Sequence, residues 1–350
     1  MNKPLSFEDQ NLYIGIDVHK KSWSVTILGK HSSFKGFTQP PCPHTLFNYL
    51  NKNFPKANYL AGYEAGFCGF HHCIKLNNLG IHCIVVNPAD VPTKDKEIKR
   101  KSDIIDSAKI ARSLRAKELE GIYVPSQEIL EIRSLLRYRN KSVSDQTRCK
   151  NRIKHFLHFN GISLPTEFDN ANWSKAFLKW LESIAEKHTN LMFLMEDFYH
   201  KKESVKNITN KLKLIVQNNE LSTQVDLLKS IPGIGDLSAI HLTTEIADIK
   251  RFSNLDKLAA YVGLIPNMAA SGEKSYTGNI TNRGSKHLKK YLIEASWIAI
   301  SKDPELMAAF NLLCNRMTKN RAIIRIAKKM LSRIKAVLNS EQPYKINYNL

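Results

Sequence analysis

The chain has 350 residues, and its 52 Lys and Arg against 32 Asp and Glu give a formal net charge of +20. A hydrophobic content of 43% excludes an intrinsically disordered protein. No run approaches the roughly 18 apolar residues of a membrane span, six cysteines are too few for a disulfide scaffold, and the first residues lack the apolar run of a signal peptide. We therefore expect a cytoplasmic protein without a membrane partner, whose positive charge favours a polyanion such as nucleic acid.

The first 90 residues predict a sheet with helices. Runs rich in β-branched and aromatic residues indicate strands, and apolar residues at helical spacing indicate helices. The predicted strands are 12–18, 23–28, 34–37, 59–63 and 83–86, and the predicted helices are 43–50 and 70–79. Strands in a meander followed by strand–helix–strand alternation predict a mixed α/β sheet.

A second helix-rich region follows. Ser102 is a good N-cap for a helix whose predicted apolar stripe lies on one face. The stripe residues are Ile104, Ile105, Ala108, Ala111 and Leu114. Residues 128–159 contain no Pro or Gly and predict one long basic helix. Residues 173–218 are predicted to continue helical and to return antiparallel to it.

The last third of the chain is predicted to be mainly helical. Residues 231–235, Ile-Pro-Gly-Ile-Gly, separate two helical stretches at 221–228 and 237–246. This turn is similar to a helix-hairpin-helix turn, whose backbone N–H groups can hold a phosphate; an ordinary tight turn is the alternative. The predicted domains are 1–125, a helical coiled-coil linker at 126–225, and a carboxyl-terminal domain at 226–350.

Four acids form a candidate metal site. Asp17 and Glu64 end two predicted strands, and Asp103 and Asp106 lie three residues apart on one helix face. Carboxylates so arranged can hold two Mg²⁺ ions about 3.5–4 Å apart for phosphodiester displacement. Taken singly, each acid has a structural alternative, as a helix-dipole partner or the partner of a nearby lysine.

Two other hypotheses use parts of the same sequence. The Gly-Ile-Asp strand also starts sugar kinases and actin-like ATPases, but the chain contains no Asp-Gly dipeptide for their phosphate-binding turns. Cys68, His71, His72 and Cys73 could indicate zinc, yet structural zinc requires four convergent ligands. Core cysteines and surface histidines are the preferred interpretation of that segment.

Several motifs together resemble one known family. Residues 14–20 (Ile-Gly-Ile-Asp-Val-His-Lys), 63–65 (Tyr-Glu-Ala) and the helix 101–111 resemble DEDD transposases of the insertion sequence 110 family, relatives of the Piv invertase. The turn at 231–235, the segment 252–266, Ser271-Gly272 and the segment 284–288 are similar to the carboxyl-terminal part of the same family.

The resemblance implies a fold, a nucleophile and partners. The fold class is an α/β RNase H/RuvC-like domain followed by a long helical (coiled-coil) segment and a mainly α carboxyl-terminal domain. The family's catalytic serine falls at Ser271, which implies a covalent phosphoserine link to DNA, with Ser275 as the nearest alternative. A non-coding bridge RNA, DNA element ends and a homo-oligomer, dimer or tetramer, are implied as partners, with Mg²⁺ as cofactor.

The basic helices supply the predicted nucleic-acid-binding residues. They are Arg133, Arg137, Arg148, Arg152, Lys286, Lys289, Arg321, Arg325 and Lys328. The function favoured is a DNA transposase that cuts and rejoins strands with Asp17, Glu64, Asp103, Asp106 and Ser271. Two alternatives remain: a RuvC-like endonuclease that uses metal-activated water, and an inactive nucleic-acid-binding protein.

Overall fold

The computed structural model describes residues 7–34, 36–92, 102–168, 173–271, 274–281 and 284–346. The chain forms two units, Met1–Val124 and Pro125–Leu350. Within the described ranges, none of the helices combines the length and apolar character needed to cross a bilayer.

The first unit is built on a five-stranded mixed sheet. Its strands are β1 (Asn11–Val18), β2 (Trp23–Leu28), β3 (Phe37–Gln39), β4 (Asn58–Glu64) and β5 (His82–Val86). The order in the sheet is β3-β2-β1-β4-β5, with β2 antiparallel to β1 and to β3, and with β4 parallel to β1 and to β5. The predicted α/β sheet is confirmed. The bounds of β3 differ from the prediction: the strand begins at Phe37, the last residue of the predicted strand, because pairing with β2 begins there, at Val25.

Helices cover both faces of this sheet. On one face, α1 (Pro43–Asn53) and α2 (His71–Asn78) bury leucines against the large aliphatic side chains of β1. On the other face lies α3 (Asp103–Arg115), which the side chain of Ser102 caps by accepting from the Ile105 N–H, as predicted.

The buried face of α3 differs from the predicted stripe. Ile104 is 51% exposed, whereas Ser107 and Lys109 are buried with Ile110 and Ala111. The helix packs against glycine-containing strands, so small side chains lie at its contact with the sheet. The prediction that Ile104 lies on the buried face is therefore wrong. The apolar periodicity did not include Ser107, the small polar residue that lies at the contact with the sheet.

The second unit begins with two long helices. Helix α4 (Gln127–Phe159) is the predicted long basic helix, and α6 (Thr189–Gln217) is joined to it through α5 (Lys175–Ala185). The side chain of Arg139 donates to Thr209 near the middle of both helices, and that of Asn219 donates to Glu128 at the start of α4. These contacts confirm that the second long helix returns antiparallel to the first.

The rest of the second unit is mainly helical and shares one large hydrophobic core. Its helices are α7 (Leu221–Lys229), α8 (Asp236–Ile246), α9 (Leu255–Val262), α10 (Lys286–Ala299), α11 (Pro304–Cys314) and α12 (Lys319–Ser340). Between α9 and α10, β6 (Pro266–Ser271) and β7 (Lys274–Ile280) form an antiparallel hairpin.

Candidate active site

Asp17 is the second-to-last residue of β1, and Glu64 is the last residue of the neighbouring parallel strand β4. The register of β1 and β4 pairs Gly15 with Gly62, so each acid lies two residues beyond a paired glycine. Because residues i and i+2 of a strand point to the same face, both acids lie on the glycine face of the sheet. This is the face that α3 covers.

Close backbone contact sets the position of α3. A Cβ on Gly15 would overlap the carbonyl oxygen of Ser107, and it would lie 2.6 Å from the amide nitrogen of Ala111. The hydroxyls of Ser107 and Thr26 are 2.8 Å apart across the same interface. Asp103 lies about one helical turn before Ser107, at the end of α3 that lies near the acid of β1.

His19 connects Asp17 with Asp103. Its Nε2 lies 3.1 Å from Asp17 Oδ2 and 3.6 Å from Asp103 Oδ2. Within the part of the chain that the structure describes, these three residues form the one group of His, Cys, Asp or Glu side chains close enough to share a metal ion. His19 is not among the site residues predicted from the sequence; the signal that could have indicated it is its position two residues after Asp17.

Asp106 has a different partner from Asp103. The Nζ atom of Lys109 lies 2.7 Å from Asp106 Oδ1, and the Lys109 side chain is only 10% exposed. An ammonium group so enclosed requires a counter-charge, because an unpaired buried charge is costly. Asp106 therefore neutralises Lys109 in this arrangement.

The acids act on one another electrostatically. Partial burial raises the pKa of Asp17, and the carboxylates of Asp103 and Asp106 raise it further, while His19 lowers it. A divalent cation beside Asp17 would favour its ionised form. Carboxylate oxygens with an imidazole nitrogen are a donor set that divalent metals accept, so these residues fit a metal ion.

Ser271 lies in the second unit. It is the last residue of β6, and its backbone pairs with Lys274 at the first position of β7. Its neighbour Gly272 lies outside the described residues. The predicted small-residue turn is thus one end of a β-hairpin, and Ser271 stands where the first strand ends.

The base of this hairpin is closely packed. Gly284 has a φ of +93°, and a Cβ there would lie 2.6 Å from the amide nitrogen of Gly263. Gly263 ends α9 in the left-handed conformation, and the Thr281 N–H donates to the Ile265 carbonyl. The two ends of the hairpin therefore meet at a glycine-to-glycine contact that admits no side chain.

Most of the predicted nucleic-acid-binding residues lie at the surface. The exposed members are Arg137, Arg148, Arg152, Lys286, Arg321 and Arg325. Lys289 and Lys328 are half-buried: Lys289 donates to the Thr281 carbonyl and Lys328 pairs with Asp256. Arg137 and Arg148 are exposed while also lying near Glu245 and Asp145, respectively.

Arg133 is not a surface residue, and its prediction as a nucleic-acid contact is wrong. Its side chain is 8% exposed. Its guanidinium donates to the carbonyls of Thr244 and Glu245 at the end of α8, at 2.9 and 3.0 Å. The last carbonyls of a helix lack partners within the helix and carry partial negative charge, so a buried arginine is stabilised there.

Two further motifs have structural roles. Gly233, in the turn between α7 and α8, has a φ of +87°, and a Cβ there would lie 3.0 Å from the Ala299 amide nitrogen of α10. This contact favours the alternative of an ordinary tight turn, in which the glycine allows close helix packing. Cys73 is buried, and its thiol donates to the Cys83 carbonyl, which agrees with a core cysteine.

Comparisons with known proteins identify the class. A DEDD transposase profile of the IS110 type matches residues 14–160, and the profile described as Transposase IS116/IS110/IS902 family matches residues 225–311. Together they cover two thirds of the chain. The protein is thus a transposase, and it belongs to the IS110 family of DEDD transposases.

Similar proteins agree with this family. The y4qE protein of Sinorhizobium fredii is 26% identical to this chain. The aligned region covers 67% of this chain and 57% of the relative. The transposase for insertion sequence element IS1111A of Coxiella burnetii is 25% identical over 76% of this chain and 74% of its own. The pilin gene-inverting protein of Moraxella bovis is 30% identical over 43% of this chain and 48% of its own.

Proposed function

We propose that the protein cuts and rejoins DNA strands to move an insertion sequence, and that its first unit is an RNase H/RuvC-like catalytic domain. The single observation that carries this proposal is the approach of Asp17, near the end of β1, to Asp103, at the start of α3, on one sheet face. Asp17 and Glu64 lie at the same end of adjacent parallel strands, and the first residue of α3, Asp103, lies close to Asp17. The sheet order β3-β2-β1-β4-β5 is consistent with this assignment.

Asp17, Glu64, Asp103 and Asp106 would hold the divalent ion, for which Mg²⁺ is the natural candidate with oxygen ligands. When bound, the metal would polarise the phosphodiester and stabilise the attacking and leaving oxygens. Partial burial, with a smaller contribution from the carboxylates of Asp103 and Asp106, raises the pKa of Asp17, and a perturbed carboxyl of this kind supports a functional role. Lys109 holds the Asp106 carboxylate in place through a contact of 2.7 Å.

Ser271 would be the nucleophile. Its Oγ would form a bond to the scissile phosphorus, the bond from phosphorus to one deoxyribose oxygen would break, and that oxygen would take a proton and leave as a hydroxyl. A hydroxyl of the incoming strand would then attack the phosphoserine and release Ser271. The small residues beside Ser271, Ala270 and Gly272, support this role, because they let a phosphate approach the hydroxyl closely.

The exposed basic residues would bind nucleic acid through phosphates, with a bridge RNA as a further partner. The formal charge of +20 supports a polyanionic partner, because neutralised phosphates release counterions. Arg152 of α4 and Arg321 and Arg325 of α12 are exposed members of this set.

Because the acids and Ser271 belong to different units, a homo-oligomer, dimer or tetramer, could complete each active site from two chains. Mixing Asp17→Ala subunits with Ser271→Ala subunits tests this: sharing predicts recovery of some activity, and no recovery contradicts sharing.

The main experiment is denaturing electrophoresis of a reaction that contains labelled element-end DNA, the cognate RNA and Mg²⁺. The native chain is expected to form a covalent protein–DNA adduct. Ser271→Ala should abolish it, Ser275→Ala should retain it, and Asp103→Asn should prevent strand cutting.

Cutting that persists in Ser271→Ala without any adduct would favour the endonuclease that uses activated water. Nucleic-acid binding without cutting, unchanged in Asp103→Asn, would favour a non-catalytic binding protein. Either result contradicts the proposed function.

A further inference from the structure

His19 occupies a fixed turn beside the carboxylates. It follows β1 directly, and its N–H donates to the Ser22 carbonyl across the tight β1–β2 turn, at 3.1 Å. Val18 and Trp23 form the last pair of the two strands before this turn. The backbone of His19 is therefore held by the hairpin, at the end of the sheet where the acids lie.

The geometry around His19 matches two adjacent positions of a metal ion. Metal–ligand distances of about 2.0–2.2 Å place two donors at right angles about 3 Å apart. The Nε2 atom lies 3.1 Å from Asp17 Oδ2 and 3.6 Å from Asp103 Oδ2. The donor atoms of all three residues lie within 4.8 Å of one another.

The two basic side chains that touch the acids differ in chemistry. Lys109 is enclosed and paired with Asp106, and an ammonium group has no lone pair to offer a metal. The His19 side chain is half exposed, and a neutral imidazole offers one nitrogen lone pair. Of these two, His19 alone can be a ligand.

We propose that His19 is a nitrogen ligand of the divalent ion held by Asp17 and Asp103. This inference rests on the metal site of the proposed function and adds a donor that the four acids do not provide. Replacing one oxygen ligand by imidazole nitrogen increases the preference for Mn²⁺ and Co²⁺ over Mg²⁺, because imidazole suits transition metals and Mg²⁺ prefers oxygen.

The test uses Mn²⁺ as a spectroscopic probe on the full chain. Pulsed electron paramagnetic resonance of the Mn²⁺-loaded native protein is expected to show coupling to a ¹⁴N nucleus. His19→Gln should remove that coupling and raise the Mn²⁺ dissociation constant at least about tenfold, with a smaller change for Mg²⁺. His31→Gln, which changes an exposed histidine in another turn of the same unit, should retain the coupling and the affinity.

The outcomes separate this inference from the proposed function. The native chain could bind Mn²⁺ without ¹⁴N coupling, and Asp17→Asn could abolish that binding. This result would overturn the role of His19 and leave the metal centre of the proposed function intact. Coupling that persists in His19→Gln would also overturn it. Mn²⁺ binding that is absent in the native chain, or is unchanged in Asp17→Asn, would overturn the metal centre of the proposed function and the inference with it. Circular dichroism of each variant verifies that the fold is retained.

Discussion

A Cβ atom on Gly15 would overlap the backbone carbonyl oxygen of Ser107, so β1 and α3 touch backbone to backbone at this point. The contact lies two residues before Asp17 and four residues after Asp103. It therefore sets how closely the strand-end acid and the helix-start acid approach one another.

Gly15→Ala is expected to push α3 away from the sheet. Overpacking of this kind costs about 1–3 kcal/mol of unfolding free energy, and the separation of Asp17 from Asp103 should weaken Mn²⁺ binding as well. Urea denaturation and Mn²⁺ titration measure the two effects. Gly66→Ala is the matched control, since the nearest atom to its added Cβ would be 3.9 Å away; equal losses in both variants would contradict the argument.

The two acids of α3 are expected to respond differently to neutralisation. Asp106→Asn leaves the enclosed Lys109 ammonium without its counter-charge and should destabilise the protein by about 1–3 kcal/mol. Asp103 is 59% exposed, so Asp103→Asn should leave stability nearly unchanged while it abolishes strand cutting. Thermal unfolding and the DNA cleavage assay separate the two.

The double variant Asp106→Asn/Lys109→Met provides the control for this pair. It removes both charges and should recover most of the lost stability without restoring cleavage. A double variant as unstable as Asp106→Asn alone would contradict the pairing.

Local features of this site were predictable from the sequence. Three features depend only on neighbouring residues, and the structure has all of them: a strand with Asp17 near its end, the Ser102 cap, and Asp103 and Asp106 in the first turn of one helix. The approach of the His19 ring to Asp103 was not predictable, because these two residues are far apart in sequence and only the fold brings them together.

Long-range contacts explain the errors. Arg133 lies in a basic helix, and its neighbours in the sequence predict a surface residue. Its hydrogen-bond partners are carbonyls more than 100 positions later in the chain. Burial of Ser107 instead of Ile104 follows from the glycine-containing strands that α3 covers. Periodicity within one segment does not contain that information.

Arg133 and Arg152 lie on the same helix and are expected to have separate roles. Arg133→Gln leaves two carbonyls of α8 and the Glu245 carboxylate without their donor. It should lower the free energy of unfolding by about 3 kcal/mol. Arg152→Gln should leave stability unchanged and reduce the slope of log binding constant against log salt by about 0.9 if one B-DNA phosphate contact is lost. Urea denaturation and binding titrations at several salt concentrations measure both; an Arg152→Gln variant with an unchanged slope would exclude that residue from the nucleic-acid surface.

His241 is expected to make the stability of the second unit depend on pH. The residue is 2% exposed, its ring stacks on Tyr291 at 4.0 Å, and neither ring nitrogen has a hydrogen-bond partner among the described residues. Burial, reinforced by the charges of His287, Arg139 and Arg137, lowers the pKa of His241 from 6.5 to about 3. The neutral ring is therefore the form that the folded unit accepts.

Since the unfolded chain binds this proton near pH 6.5 and the folded chain does not, His241 contributes stability above pH 6.5 that is lost as the pH falls towards 3. Well inside that range, the loss approaches about 1.4 kcal/mol per pH unit. His241→Phe keeps an aromatic ring against Tyr291 and cannot be protonated, so it should lose less stability than the native chain between pH 6 and pH 4. Urea denaturation of both proteins at each pH measures the difference; identical slopes would mean that His241 is protonated in the folded unit or reached by solvent.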